Sequence, residues 1–142
     1  MKVIKILLVI TLSTHFLVFA QKENNIWYFG APGTICGINF NSGTAVAAPA
    51  NNPVFSTDEG SATLCDQNGN LIFYTDGSFV HNKNHNRMPN SMPGSPGDYL
   101  KGDPSSTDGA VIVPKPGSST LYYIFTVDAL NSGKSGMHYS EV

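Results

Sequence analysis

Three groups of side chains in this sequence have residue types and spacings found in metal-binding or catalytic sites. The first is Asp66–Asn70, where oxygen-bearing side chains alternate as they do in a calcium-binding loop. A twelve-residue EF-hand loop needs glycine at its sixth position and glutamate at its twelfth, but those places hold Leu71 and Gly77. We therefore predict that Asp66–Asn70 is a hairpin turn, which Asp and Asn stabilise through their own side chains.

The second group is His81 and His85, whose spacing would place both imidazoles on one face of a helix, within reach of one metal ion. The intervening asparagines and the following Pro89 disfavour a helix. The sequence offers no third ligand beside them, and His138 has no evident partner. We predict that His81 and His85 are solvated loop histidines and that the chain holds no metal.

The third group consists of carboxylates that follow or precede strand-like runs, namely Glu59, Asp76 and Asp108. Asp58 is adjacent to Glu59, and neighbours in an extended chain point to opposite faces, so the two make a poor acid–base pair. The sequence lacks a G-x-S-x-G elbow, a phosphate loop, a dinucleotide fingerprint and a zinc-ligand spacing. Capping and turn roles are the simpler assignment, and we predict no catalytic residue and no cofactor.

The elements that position these groups are organised around Gly60–Gly77. Two runs of β-forming residues, Ser61–Cys65 and Leu71–Thr75, flank the dipeptide Asn68-Gly69. Asn-Gly between such runs predicts a hairpin with a type I′ turn. Asp76-Gly77 then supplies a second turn into a third strand at Ser78–His81, so the stretch predicts an antiparallel meander.

The same pattern recurs roughly 50 residues later. Gly109–Val113 aligns with Gly60–Leu64, and Tyr122–Thr126 aligns with Leu71–Thr75. A period of this length made of strands is typical of propeller blades. We predict an all-β fold of antiparallel four-stranded meanders, a partial β-propeller of about two blades plus an N-terminal strand pair. The alternative is a small β-sandwich whose two sheets are the two repeats.

The remaining segments are one strand pair, one strand and three loops. The N-terminal pair is predicted at Asn25–Gly30 and Thr34–Phe40, and a last strand at Met137–Val142. Because the chain stops within this last strand, we expect it to be part of a longer protein. The predicted loops are Thr44–Thr57, with a short edge strand as the alternative, Asn82–Thr107, with a short strand near Arg87, and Asp128–Gly136.

Residues 1–20 have the pattern of a secretory signal peptide. Lys2 and Lys5 precede an apolar run, and Ala20 ends a plausible cleavage site, so the mature domain would span 21–142. The apolar run is shorter than the roughly 20 residues that span a bilayer, and we expect no membrane span after cleavage. The rest of the chain has six basic and ten acidic side chains, and we predict that nucleic acid is not a partner.

The two cysteines, Cys36 and Cys65, would reach an oxidising compartment by this route. A disulfide between them would stabilise the fold by about 3 kcal/mol. Each also lies in an apolar strand-like run, where a buried free thiol is common, and both alternatives stay open.

The strand aromatics also have two interpretations, a carbohydrate-stacking surface or packing between sheets, and their strand spacing favours packing. They are Trp27, Tyr28, Phe29, Phe73, Tyr74, Tyr122, Tyr123 and Phe125.

Several runs together resemble the N-terminal β-propeller-like region of large secreted surface proteins of Bacteroidetes, which are associated with type IX secretion and gliding motility. The runs are Trp27–Gly30, Ile38–Gly43, Glu59–Gly77, Asn82–Asn90 and Ala110–Ala129, of which VPKPGSSTLYYIFTVDA is the most specific. The resemblance covers nearly all of residues 24–142. It implies a propeller-like fold, export and a surface or adhesion role, and it implies no catalytic residues.

We therefore expect a non-enzymatic binding or structural module, exported to the cell surface or secreted, that is the propeller fragment of a larger adhesin-like protein. Its partner would be a protein or a glycan at the cell surface. The alternative is a fragment of a secreted propeller enzyme that acts on glycans, with carboxylates such as Glu59, Asp76 and Asp108 around the propeller axis.

Overall fold

A computed structural model of the protein describes residues 21–31, 36–49, 55–89, 99–129 and 136–142. The predicted signal peptide lies outside these ranges and stays a prediction. The strands are β1 (Ile26–Phe29), β2 (Cys36–Asn39), β3 (Val46–Ala47), β4 (Ala62–Cys65), β5 (Leu71–Thr75), β6 (Val80–Asn82), β7 (Ala110–Pro114), β8 (Tyr122–Val127) and β9 (Met137–Glu141). The described ranges contain no α-helix, and so no helix that is long and apolar enough to cross a membrane.

The strands form three antiparallel sheets in chain order: sheet A (β1-β2-β3), sheet B (β4-β5-β6) and sheet C (β7-β8-β9). The all-β prediction is confirmed, as are the meanders. The prediction of four strands a sheet is wrong, because each sheet has three strands within the described residues. The N-terminal strand pair is also a three-stranded sheet, since Val46–Ala47 pairs with β2 at its edge.

The hairpin between β4 and β5 closes by a different turn from the one predicted. A type I′ turn needs a positive φ at both central residues, but only Gly69 has one (φ 85°), and Asn68 does not. Gly69 N donates to Asp66 O at 2.9 Å, and Asp66 N donates to Asn70 O at 2.8 Å. The loop is therefore a tight turn followed by a left-handed glycine, the common three-residue hairpin.

Sheet B lies between the other two sheets. Strand β4 contacts both β1 and β7, so the first strands of the three sheets are neighbours in space, in the order β1, β4, β7. The core between sheets A and B consists of Ile26, Tyr28, Phe55, Cys65 and Tyr74. The core between sheets B and C consists of Leu64, Phe73, Val80, Leu100, Ala110 and Ile124. Three sheets in series, with the middle one packed on both faces, differ from the two-sheet sandwich that was the alternative.

The face of sheet B that contacts sheet A contains Thr63 and Tyr74, which pair across β4 and β5. The ring of Tyr74 stacks on that of Tyr28 at a centroid distance of 4.7 Å. The Thr63 hydroxyl accepts a hydrogen bond of 3.0 Å from Tyr28 N. Sheets A and B are thus joined by a polar bond as well as by aromatic packing.

In sheet C the corresponding row contains Ile112 and Ile124, which pair across β7 and β8 and face sheet B. Ile124 therefore occupies the place that Tyr74 has in sheet B, while the sequence alignment assigned that place to Phe125. The alignment of the second repeat is wrong by one residue in β8. Strand β8 is one residue longer than β5, and identity of residue type did not reveal where the extra residue lies.

Candidate functional site

One end of the molecule brings together the places where β4 and β7 begin and where β5 and β8 end. Gly60 and Gly109 precede β4 and β7, and a Cβ atom on Gly60 would lie 2.6 Å from Gly109 N. Gly102 N donates to Gly77 O at 3.2 Å, and Asp103 N donates to Val127 O at the same distance. The segment 99–109 is thereby fastened across the ends of sheets B and C, and we call this region the loop end.

Glu59, Asp76 and Asp108 all lie at the loop end, but each has a hydrogen-bond partner or a place in a turn. Glu59 Oε2 accepts a hydrogen bond of 2.7 Å from the hydroxyl of Thr107. Asp108 has a positive φ of 55°, as residues in tight loops do. Asp76 is 2% exposed and belongs to the turn after β5. The described residues contain no group of three or more His, Cys, Asp or Glu side chains arranged to hold a metal ion.

Asp76 organises the turn between β5 and β6. Its Oδ1 accepts hydrogen bonds from Ser78 N at 2.9 Å and from Phe79 N at 2.8 Å. Burial raises the pKa of the carboxyl, while hydrogen bonds from Phe79, Ser78 and Ser56 act in the opposite direction. The capping role proposed from the sequence is therefore confirmed for Asp76.

Asp76→Ala is expected to lower the free energy of unfolding by about 1–3 kcal/mol, because the N–H groups of Ser78 and Phe79 lose their acceptor. Asp76→Asn keeps a side-chain oxygen and is expected to lose less. Urea denaturation of the two variants and the parent chain measures this difference. An alanine variant as stable as the parent would refute the capping role.

A cavity of about 650 Å³ opens at the loop end, between the segment 99–104 and sheet C. We call it the inter-sheet cavity. Its polar and aromatic lining comes from Ser78, Tyr99, Lys101, Asp103 and His138. These residues belong to the turn after β5, the segment that crosses between sheets B and C, and strand β9. The inter-sheet cavity therefore depends on the packing of two sheets.

Behind His138 lies a buried carboxylate. Asp128 Oδ2 is 3.5 Å from His138 Nε2, and the Asp128 side chain is 4% exposed while that of His138 is 35% exposed. Neither carboxylate oxygen of Asp128 accepts a hydrogen bond from the described residues. The Nε2 edge of the His138 ring therefore lies next to the Asp128 carboxylate, and the partly exposed His138 side chain lines the cavity.

Tyr99 is held at the rim of the inter-sheet cavity by a second aromatic ring. It is 41% exposed and contacts Phe79 edge to face at a centroid distance of 4.9 Å. The guanidinium carbon of Arg87 lies 3.4 Å from the centroid of the Phe79 ring. An exposed aromatic ring in a fixed orientation is therefore available beside the cavity.

The interpretation of His81 as a solvated loop residue is wrong. His81 lies in β6 and is fully buried, with its ring stacked on Tyr74 at 5.2 Å and edge-on to Phe55 at 5.7 Å. Burial lowers its pKa to about 4, and the charges of Arg87 and His85 add to this. Its ring neighbours are aromatic, and it lies on the face of sheet B that packs against sheet A.

His85 also has a structural contact, because its Nδ1 lies 3.3 Å from the hydroxyl of Tyr74. It has a positive φ of 65° in the turn after β6, and burial lowers its pKa. The loop position predicted for His85 is confirmed, but the side chain is only partly exposed. The two histidines contribute to the core between sheets A and B.

The calcium-like segment Asp66–Asn70 is a hairpin turn, as predicted. Asp66 Oδ1 accepts hydrogen bonds from Asn68 N at 2.8 Å and from Asn70 N at 2.9 Å, and Oδ2 accepts one from Asn70 Nδ2 at 2.9 Å. The Asn70 side chain and backbone bonds lower the pKa of the Asp66 carboxyl. Both carboxylate oxygens are thus occupied within the turn.

Both alternatives for the cysteines, a disulfide or free thiols, stay open. Cys65 is buried in the core between sheets A and B and forms no disulfide with a described residue, and burial is the main cause that raises the pKa of its thiol. Cys36 begins β2, but its side chain lies outside the described part.

Packing between sheets is confirmed for Tyr28, Phe73 and Tyr74, which are all buried. Trp27 is different, because it is 52% exposed on the outer face of sheet A.

The sequence analysis did not single out Tyr99 and Lys101, which line the inter-sheet cavity, or Asp128, which lies behind His138. Tyr99 and Lys101 alternate with Leu100 and Gly102, which are buried. That alternation of polar and apolar residues was the available signal, and it was hidden because Asn82–Thr107 was treated as one loop.

No family model, no curated protein and no solved structure matches this chain. The resemblance to the Bacteroidetes surface proteins therefore stays a prediction.

Proposed function

We propose that this chain is an exported, non-enzymatic binding module of the cell surface, built as a sector of a β-propeller that belongs to a larger adhesin-like protein. The observation that carries the proposal is the inter-sheet cavity at the loop end, which is lined by Tyr99, Lys101, Asp103, His138 and Ser78. Binding sites are typically concave, with a few convergent polar groups, and this cavity has that character.

The propeller sector is supported by the series of sheets. Each sheet is an antiparallel meander, and the first strand of each contacts the first strand of the next. In a propeller, successive blades are arranged in this way around a central channel. The close approach of Gly60 and Gly109 supports the same arrangement, because it lets the first strands of sheets B and C converge at the loop end.

The outer face of sheet C supports a further blade. Val111, Phe125 and Tyr139 form one row across β7, β8 and β9, and Val111 and Tyr139 are 52% and 69% exposed. The corresponding row of sheet B contains Ala62 and Thr75 and faces sheet C. An apolar face of this kind typically marks an interface, and a fourth sheet would cover it in the complete propeller.

Export rests on residues 1–20, with their basic start and apolar run. The mature module would begin at Gln21. Its net negative charge and its lack of a basic cluster fit a protein or glycan partner better than a nucleic acid.

The alternative, a secreted propeller enzyme that acts on glycans, receives less support. Glycoside hydrolysis uses two carboxyl groups that flank the scissile bond. Glu59 and Asp76 are instead bonded to Thr107 and to the turn after β5. Near the inter-sheet cavity, Asp103 Oδ1 accepts hydrogen bonds from Ser105 N and Oγ, and Asp128 is buried behind His138.

Cell fractionation followed by intact-mass analysis tests the export. The source cells are expected to yield a processed species whose first residue is Gln21, in the envelope fraction or in the medium, alone or within a larger protein. A species that retains residues 1–20 and stays in the cytoplasm would refute the proposal.

A further inference from the structure

We propose that the inter-sheet cavity binds a neutral saccharide, with Tyr99 as the platform for the sugar ring. This inference deepens the proposed binding function and rests on it. It names the chemical class of the ligand, and it is carried by four observations: the cavity, the alternation of the segment that lines it, the fixed ring at its rim and the buried Asp128 behind His138.

The segment that lines the cavity alternates between buried and accessible residues. Tyr99 and Lys101 are exposed and Leu100 and Gly102 are buried, and all four line the cavity together with Asp103. A phenol ring, an ammonium group and a carboxylate therefore come from alternate positions of one short segment.

Tyr99 provides the apolar part of the site. Its contact with Phe79, which is in turn covered by the guanidinium of Arg87, fixes the ring plane. A pyranose ring has an apolar C–H face, and an exposed aromatic ring of fixed orientation is suited to pack against it at little entropic cost. A mobile aromatic side chain would lose more freedom on binding.

The polar part of the site suits hydroxyl groups. Lys101 supplies donors, and His138 and Ser78 each supply a group that either donates or accepts. Asp103 supplies a carboxylate, whose Oδ1 also accepts hydrogen bonds from Ser105 N and Oγ. The Asp128 carboxylate lies 3.5 Å behind the His138 imidazole, on the side away from solvent. Sugar hydroxyls both donate and accept, so they satisfy such a mixed set, which a group that only accepts, such as phosphate, does not.

The charges favour a neutral ligand. Lys101 is positive, and Asp103 and the buried Asp128 are negative, so the inter-sheet cavity presents no excess of positive charge. A phosphate or sulfate ligand would meet the carboxylate of Asp103 in the lining and that of Asp128 behind His138. A neutral saccharide avoids the repulsion and uses both signs as hydrogen-bond partners.

The backbone around the cavity disfavours an extended peptide as the ligand. Leu100 N donates to Ser78 O at 2.9 Å, Gly102 N donates to Gly77 O, and Asp103 N donates to Val127 O. Peptides that bind by strand addition need free backbone groups along an edge. Here those donors already connect sheets B and C, so recognition is left to side chains.

The test is a titration of the full chain with maltose, cellobiose, lactose and N,N′-diacetylchitobiose. Binding is measured by calorimetry and by NMR. At least one saccharide is expected to bind and to shift the Tyr99 ring signals. Tyr99→Ala is expected to weaken that binding at least about tenfold, because the stacking surface is lost. Trp27→Ala removes an exposed aromatic of sheet A and is the matched control, with binding unchanged.

The denaturation midpoints of both variants are measured to separate lost binding from lost folding, and Tyr99→Phe, which keeps the ring, is expected to keep most of the affinity. The inference is overturned if no saccharide of the panel binds, if Tyr99→Ala binds as well as the parent, or if only a peptide competes for the cavity. A chain that is displayed on the cell but binds no saccharide refutes this inference alone. A chain that binds a saccharide but stays in the cytoplasm refutes the proposed surface function.

Discussion

Replacing Tyr74 with alanine is expected to lower the free energy of unfolding by about 3–5 kcal/mol, as large-to-small substitutions of buried aromatic residues do. Tyr74 is fully buried. It stacks between Tyr28 and His81, and Phe55 packs edge-on against it at 4.8 Å. Its removal would leave a cavity in the core between sheets A and B, which consists mainly of rings.

Tyr139→Ala is the matched control, because it makes the same chemical change on a side chain that is 69% exposed. Its effect is expected to stay within about 1 kcal/mol. Urea denaturation of both variants, followed by intrinsic fluorescence and circular dichroism, measures the difference. Equal effects for the two variants would contradict the packing of sheet A on sheet B.

The stability of the protein is expected to fall as the pH is lowered from about 6.5 to about 4, because His81 must take up a proton that its surroundings disfavour. Its pKa in the folded chain is about 4, below the ordinary value of 6.5. The unfolded chain therefore binds the proton first. The stabilisation is complete above pH 6.5 and is lost towards pH 4, at up to about 1.4 kcal/mol per pH unit for one proton.

His81→Phe separates this effect from other titrations. A phenylalanine ring keeps the contacts with Tyr74 and Phe55 but binds no proton, so most of the pH dependence is expected to disappear. His85, whose pKa burial also lowers, would retain a smaller share of the slope. The free energy of unfolding of parent and variant is measured by denaturation at steps of half a pH unit. Parallel pH profiles for the two chains would contradict the account.

The same substitution is expected to stabilise the protein at pH 7 by about 1–3 kcal/mol. Neither ring nitrogen of His81 has a hydrogen-bond partner among the described residues. A buried donor without a partner is costly, and phenylalanine removes it. A His81→Phe variant less stable than the parent at pH 7 would show that the imidazole has a role that packing does not explain.

Most strands were predictable because local pattern and tertiary structure agree. Leu71–Thr75 is bounded by turn residues and combines β-branched and aromatic side chains, and β5 has the predicted limits. Met137–Glu141 alternates between more and less exposed residues, as the sequence pattern does. The turn at Asp66–Asn70 follows from side chains that bond their own backbone.

Other features depend on contacts between distant parts of the chain and could not be predicted from the sequence. His81 is polar and precedes an Asn-rich turn, so its local sequence suggests exposure, but Tyr74 and Phe55 cover it. The inter-sheet cavity is a similar case. Asp128 and Tyr99 are far apart in sequence, and only the packing of sheets B and C brings the pair Asp128–His138 near the segment that contains Tyr99.

Trypsin treatment of intact source cells is the most direct test of the central claim, that this chain is a module displayed at the cell surface. Lys83 and Lys101 are exposed, and neither is followed by proline, so trypsin can cleave after both. Tryptic peptides that end at these residues are expected in the supernatant while cytoplasmic marker proteins stay intact. Release of these peptides only after cell lysis would contradict the account.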